Sequence, residues 1–101
     1  IELLGIGLQN HIPIQIVDER NRIRMIGAGI TIEKEKQFGK FVSLIPYTNI
    51  VKGLTLTGFK YPLDHYDFRG FCSLGVSNEI IAESAQITFE DGILIVIEAR
   101  D

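Results

Sequence analysis

The 101-residue chain has one cysteine, no tryptophan and three prolines. The lone Cys72 excludes an internal disulfide framework, which fits a reducing compartment such as the cytoplasm. No apolar run approaches the ~20 residues that span a membrane, and a signal peptide is not expected. The formal net charge of −3 provides no basic field for nucleic acid or anionic lipid. We therefore expect neither a membrane nor a nucleic acid as a partner.

The chain also lacks the motifs that bind nucleotide phosphates. It has no Gly-x-x-x-x-Gly-Lys-Ser/Thr loop and no glycine fingerprint between a strand and a helix. No aspartate cluster is evident that would hold Mg²⁺ against ATP phosphates. One imidazole and two carboxylates in residues 64–68 are too few for a metal site. We predict a surface loop there, including His65. Cys72 has no histidine partner in a local signature, and we predict a small buried residue.

What the chain does contain is a series of short strand patterns. With 46% hydrophobic and 23% charged residues, it reads as one globular domain. Strands are predicted at residues 12–17, 22–26, 30–34, 40–45, 50–59, 84–89 and 93–98. The Asp91-Gly92 pair predicts that the last two strands form a hairpin. Frequent turns without a crossover helix favour an antiparallel sandwich or a small barrel.

The start of the chain has a different pattern. Ile1, Leu4 and Leu8 follow the stripe of a short amphipathic helix, and the chain begins there without a methionine. We interpret this start as the tail of a longer helix, so that the sequence would be a fragment. His11, at the end of the helix, is expected to be a capping or exposed residue. Gly27-Ala28-Gly29 breaks the strand pattern and marks a boundary between two structural units.

The segment from Gly70 to Glu79 is the best candidate for a functional site. Ser73, Ser77 and Asn78 provide hydroxyl and amide groups that both donate and accept hydrogen bonds. Glycines in the segment permit tight turns and close approach of a ligand or a second chain. The residues alone are also compatible with a simple turn, capped by Ser and Asn through local backbone bonds. Glu79 is expected to be a solvated charge at a strand end.

The order and spacing of several motifs give the chain a specific resemblance to a known family. They are Ile16-Val17-Asp18-Glu19-Arg20-Asn21-Arg22-Ile23-Arg24, Gly58-Phe59-Lys60-Tyr61-Pro62-Leu63, Ser73-Leu74-Gly75-Val76-Ser77-Asn78-Glu79 and Gly92-Ile93-Leu94-Ile95-Val96-Ile97. Together they resemble the thiamine-binding C-terminal domain of bacterial thiamine pyrophosphokinases. The resemblance implies a mainly β fold, an antiparallel, jelly-roll-like β-sandwich. It implies that residues 28–101 form the thiamine-binding domain and that residues 1–27, a short helix and hairpin, are left over from an N-terminal α/β domain.

The resemblance also implies an activity, cofactors and partners. The parent enzyme would transfer a diphosphate group from ATP to thiamine, giving thiamine diphosphate and AMP. Mg²⁺ and ATP would be bound by the missing N-terminal domain, so no cofactor and no catalytic residue are expected in this fragment. The family implies a cytoplasmic homodimer in which the sandwich of one subunit completes the site of the other. The apolar run from Ile93 to Ile97 suits a strand buried on both faces, in the core or at a dimer contact.

The predicted thiamine-binding residues are Ser77, Asn78, Tyr61 and Ser73. The resemblance implies that the positions of Ser77 and Asn78 touch the substrate. An amide suits the aminopyrimidine because it donates and accepts at once. Tyr61 can stack on the pyrimidine or face the thiazolium cation, with a buried core or interface tyrosine as the alternative.

Two other functions compete with the enzyme hypothesis. A non-catalytic β-sandwich could use the same residues to bind a small molecule, a partner strand or a second subunit. A nucleic-acid-binding barrel needs a basic groove with exposed aromatic residues. Lys52, Lys60 and Arg69 are too scattered along the sequence for such a groove.

Overall fold

The computed structural model describes residues 15–70 and 77–100, which contain nine β-strands. The predicted opening helix, His11, Cys72 and Ser73 lie outside these residues. The strands, in chain order, are β1 (Gln15–Val17), β2 (Asn21–Ile26), β3 (Ile30–Glu33), β4 (Phe41–Pro46), β5 (Ile50–Thr57), β6 (Leu63–Arg69), β7 (Asn78–Glu79), β8 (Ser84–Thr88) and β9 (Leu94–Ala99). A 3₁₀ turn at Lys34–Lys36 follows β3.

The strands form two antiparallel sheets. One has five strands in the order β1-β2-β9-β4-β7, and the other has four in the order β3-β8-β5-β6. Alternate side chains of each sheet point into a shared core, since strand residues face opposite sides in turn. Val42, Leu44 and Val96 come from the first sheet, and Leu56 and Ile87 from the second. The predicted antiparallel β-sandwich is therefore confirmed.

The β1–β2 hairpin forms as the sequence predicts. The Asp18 carboxylate accepts hydrogen bonds from the backbone N–H groups of Arg20, at 2.8 Å, and Asn21, at 2.7 Å. These two bonds close the turn, and they lower the pKa of Asp18 from its ordinary value of 3.8 because they favour the ionised form. β2 is in turn hydrogen-bonded to β9 along six residue pairs, so the hairpin belongs to the five-stranded sheet.

The predicted hairpin between the last two strands is wrong. β8 lies between β3 and β5, whereas β9 lies between β2 and β4 in the other sheet. The turn residues pair with β5 instead of with each other: Glu90 N–H donates to the Lys52 carbonyl, and Lys52 N–H donates to the Asp91 carbonyl, both at 2.8 Å. Gly92 has a φ of +110°, which glycine tolerates. The Asp-Gly turn therefore carries the chain from one sheet to the other.

The predicted surface loop at residues 64–68 is also wrong, because these residues lie in β6. This strand pairs with β5 at the edge of the four-stranded sheet. Most of its side chains are exposed, but Phe68 is fully buried in the core. His65 has a φ of +49°, which interrupts the regular alternation of the strand. A polar edge strand of this kind has a sequence pattern like that of a loop.

Strand β9 is central and buried on both faces, as its apolar run predicts. Leu94 and Val96 belong to the core between the sheets. Ile95 packs with Met25 in a second apolar cluster, which lies on the opposite face of the five-stranded sheet because neighbouring residues of a strand alternate in direction. Glu98 lies on the same face of β9 as Leu94 and Val96, and its side chain is fully buried.

Candidate functional site

The predicted site residues meet where the segment after β5 runs beside β7. Phe59 and Ile80 form an antiparallel bridge, and Lys60 N–H donates to the Glu79 carbonyl at 2.8 Å. On its other edge β7 pairs with β4. β7 therefore joins the five-stranded sheet to the segment that leaves the four-stranded sheet, and Tyr61 follows directly in that segment.

The Asn78 side chain is turned inward and is 2% exposed. Its Oδ1 accepts hydrogen bonds from Tyr61 N–H, at 2.9 Å, and from Glu79 N–H, at 3.0 Å. Its Nδ2 donates to the Tyr61 carbonyl at 2.8 Å. The carboxamide thus satisfies both backbone polar groups of Tyr61, in the manner of a neighbouring strand. The two bonds to Tyr61 join segments 17 residues apart in the chain, whereas the bond from Glu79 N–H is of the local kind that the turn-capping alternative requires.

Ser77 is exposed and has a left-handed backbone with a φ of +54°. Its backbone N–H donates to the Ser43 hydroxyl oxygen at 2.9 Å. Left-handed conformations are costly for residues other than glycine and concentrate at functional sites. The strained backbone therefore adds to the case for Ser77 as a site residue.

Ser43 was missed by the reasoning from sequence. It lies in β4 between the core residues Val42 and Leu44 and so faces the opposite side of the sheet. A serine at this alternate position reads as an ordinary polar residue of a half-exposed strand. Its contact with Ser77 depends on long-range pairing of β4 with β7, which no local pattern reveals.

The Tyr61 side chain is 53% exposed, although its backbone is held by Asn78. The exposure excludes the alternative of a core tyrosine. The Lys60 ammonium lies 5.5 Å from the ring centroid. An exposed aromatic face of this kind can stack on a flat heterocycle or attract a cation. The structure thus brings Tyr61, Ser77 and Asn78 together, and Ser73 remains a prediction.

A second polar cluster surrounds Glu98 inside the sandwich. The carboxylate accepts several hydrogen bonds from Arg22, of which the shortest is 2.7 Å. It also accepts one from Arg24 at 2.6 Å and one from Phe38 N–H at 3.1 Å. Both guanidinium groups are partly exposed, while Glu98 is fully buried. Paired charges and a backbone donor offset the cost of burying the carboxylate. We interpret this cluster as part of the sandwich's structure.

Within residues 15–70 and 77–100, no group of three or more His, Cys, Asp or Glu side chains is arranged to hold a metal ion. Over the same part of the chain, no helix is both long and apolar enough to cross a membrane.

Comparisons with known proteins agree with the fold and with the motifs around this site. A family model described as "Thiamin pyrophosphokinase, vitamin B1 binding domain" matches residues 29–94. Thiamine pyrophosphokinase of Bacillus subtilis (strain 168) is 38% identical over 102 residues, which cover 100% of this chain and 47% of the relative.

Solved structures give the same result. The crystal structure of thiamine pyrophosphokinase from Bacillus subtilis has a TM-score of 0.91 at 37% identity, over 99% of this chain and 47% of that one. The enzyme from Geobacillus thermodenitrificans has a TM-score of 0.86 at 36% identity, over 99% and 46%. The chain spans about half the length of these relatives. With the family model matching most of its residues, the chain belongs to the thiamine pyrophosphokinase family, in the region of the vitamin B1 binding domain.

Proposed function

We propose that this chain is the thiamine-binding part of a thiamine pyrophosphokinase. The observation that carries the proposal is the exposed Tyr61 ring, held by the buried Asn78 beside the strained Ser77, in a chain of this family. The parent protein would transfer a diphosphate group from ATP to the hydroxyl of thiamine. The hydroxyl oxygen would bond to the β-phosphorus and release its proton to solvent. The bond between the β-phosphorus and the α,β-bridging oxygen would break, and AMP would leave with that oxygen.

The site chemistry supports thiamine as the ligand. Thiamine combines a flat aminopyrimidine with a cationic thiazolium, and the exposed face of Tyr61 suits either ring. The Ser77 hydroxyl adds a directional contact to a ring nitrogen or to the exocyclic amine. Ser73 and Asn78 complete the proposed set, Ser73 by its hydroxyl. The sandwich would hold thiamine with its hydroxyl facing the phosphate, since positioning is the main requirement of this transfer.

The remaining parts of the reaction belong to the rest of the protein in this proposal. Mg²⁺ and ATP would be bound by an N-terminal α/β domain, to which residues 1–27 would lead, and residues 28–101 would form the thiamine-binding domain. We propose a homodimer in the cytoplasm.

The test is thiamine-dependent release of AMP from Mg-ATP by the complete protein. AMP formed together with thiamine diphosphate supports the proposal, whereas ADP would indicate transfer of a single phosphate. In the same assay, Asn78→Ala should raise the KM for thiamine more than the KM for ATP. A folded protein without thiamine-dependent turnover would favour the non-catalytic binding or dimerisation module.

A further inference from the structure

We infer that Asn78 and Ser43 are positioning residues, which hold the ligand-facing residues Tyr61 and Ser77 by their backbones. The inference rests on the proposed function, because it assigns roles within the thiamine site. It departs from the expectation that the Asn78 amide reads the pyrimidine directly. Recognition would belong to Tyr61 and Ser77, and Asn78 would act through Tyr61.

The hydrogen bonds of Asn78 carry the first step. Its Oδ1 already accepts two bonds, and one of the two Nδ2 hydrogens is donated to the Tyr61 carbonyl. The side chain is 2% exposed, so the remaining N–H is not presented on the open surface. A buried amide with these partners has little capacity left for a ligand.

The position of these bonds explains why a side chain is needed. The pairing begins just after β7, at the Phe59–Ile80 bridge. It continues into β7 with the bond from Lys60 N–H to the Glu79 carbonyl. The left-handed Ser77 then turns the backbone. The Asn78 carboxamide continues the pairing by one residue and so fixes Tyr61 at the end of the ladder.

Ser43 holds the backbone of Ser77, as Asn78 holds the backbone of Tyr61. Its hydroxyl accepts the Ser77 N–H at 2.9 Å, and its own backbone lies in β4, in register with Ile97 of β9. The bond ties a strained, exposed residue to the interior of the five-stranded sheet. Losing this acceptor removes one contact that holds Ser77 in its left-handed conformation.

The first experiment measures backbone amide exchange by NMR in the complete protein. Asn78→Ala should increase the exchange rate of the Tyr61 amide at least about tenfold, and Ser43→Ala should do so for Ser77. Ser43→Thr retains a hydroxyl and should restore protection. Gln86→Ala, at an exposed position of β8, is the control for loss of a polar side chain. Unchanged exchange rates in Asn78→Ala and Ser43→Ala would overturn the inference.

The second experiment is a double-mutant cycle on the dissociation constant of thiamine, measured by calorimetry in the complete protein. Asn78→Ala and Tyr61→Ala should each weaken binding about tenfold, and the double variant should be little weaker than either. If Asn78 touched thiamine independently, the losses would multiply to about a hundredfold. Asn78→Asp keeps the shape and the accepting oxygen but replaces the donor Nδ2 with a second oxygen. This variant serves if the alanine variant does not fold, with the same expectation.

The outcomes separate the two proposals. A wild-type protein that does not bind thiamine contradicts the proposed function before any variant is compared. Wild-type binding with an unchanged dissociation constant in a folded Asn78 variant overturns the positioning role alone, even if the melting temperature falls. Multiplying losses would also overturn it and return Asn78 to direct contact.

Discussion

The ammonium nitrogen of Lys60 lies 5.5 Å from the centroid of the Tyr61 ring. In the proposed site a thiazolium cation would approach the same ring, and two positive charges close together repel each other. Lys60 is exposed, so the ammonium can move into solvent when a ligand arrives.

We expect Lys60→Met to strengthen thiamine binding about two- to fivefold at low salt, and less at high salt because ions screen the repulsion. Calorimetric titration at two ionic strengths measures this change. Lys52→Met, near the start of β5 and at the opposite end of that strand from the Tyr61 segment, is the control for a lost positive charge. Weaker binding in Lys60→Met would show that the lysine assists the ligand.

Glu98→Gln should destabilise the sandwich. The substitution keeps the shape but removes the negative charge with which the Arg22 and Arg24 side chains pair in this cluster. We expect a loss of about 2–4 kcal/mol in the free energy of unfolding, measured by urea denaturation. Glu33→Gln breaks an exposed pair with Lys36 and should cost less than about 0.5 kcal/mol. Equal effects of the two substitutions would contradict the structural role of Glu98.

Gly58→Ala and Gly70→Ala test backbone geometry at two turns. Both glycines have left-handed φ values, +79° and +57°. A methyl group on Gly58 would collide with the Ser84 backbone, whereas one on Gly70 would meet nothing within 4 Å among residues 15–70 and 77–100. We expect losses of about 2–4 kcal/mol for Gly58→Ala and about 1 kcal/mol for Gly70→Ala, from thermal or chemical unfolding. Similar losses would show that the left-handed conformation shared by both glycines, and not the collision with Ser84, sets the cost at Gly58.

The Asp18 turn predicts a specific pH dependence. The pKa of Asp18 is lowered in the folded state by the backbone bonds from Arg20 and Asn21. Its ionised carboxylate therefore stabilises the fold above the unfolded pKa, and this contribution is lost as the pH falls through the folded pKa. Asp18→Asn keeps an acceptor oxygen without the charge. The stability advantage of the wild type over Asp18→Asn should shrink as the pH falls below about 4. A constant difference would exclude the linkage.

Local patterns predict most strands of this fold because alternating side chains face one shared core. They fail where pairing depends on distant residues. Both strands beside Asp91-Gly92 are predicted, β8 from its alternating pattern and β9 from its apolar run. Neither pattern states which sheet the strand joins. Residues 64–68 are polar because β6 lies at an edge, and only the buried Phe68 distinguishes the strand from a loop.

The candidate site was likewise predictable only where local motifs were enough. Tyr61, Ser77 and Asn78 were identified from motifs, and the structure brings them together. The inward direction of Asn78 and its bonds to Tyr61 depend on contact between segments 17 residues apart in the chain. Glu98 ends an apolar run, and its burial requires arginines that lie 76 and 74 residues away. Sequence spacing contains no information about such partners.

The central position of β9 has a consequence for protein synthesis. Its two neighbours, β2 and β4, are hydrogen-bonded to it along their full lengths. On the ribosome, both neighbours leave the exit tunnel well before residues 94–99 are translated. Their inner edges then have no partner and can pair with other nascent chains. We therefore expect the five-stranded sheet to form late, and molecular chaperones to have most influence on its folding while translation is incomplete.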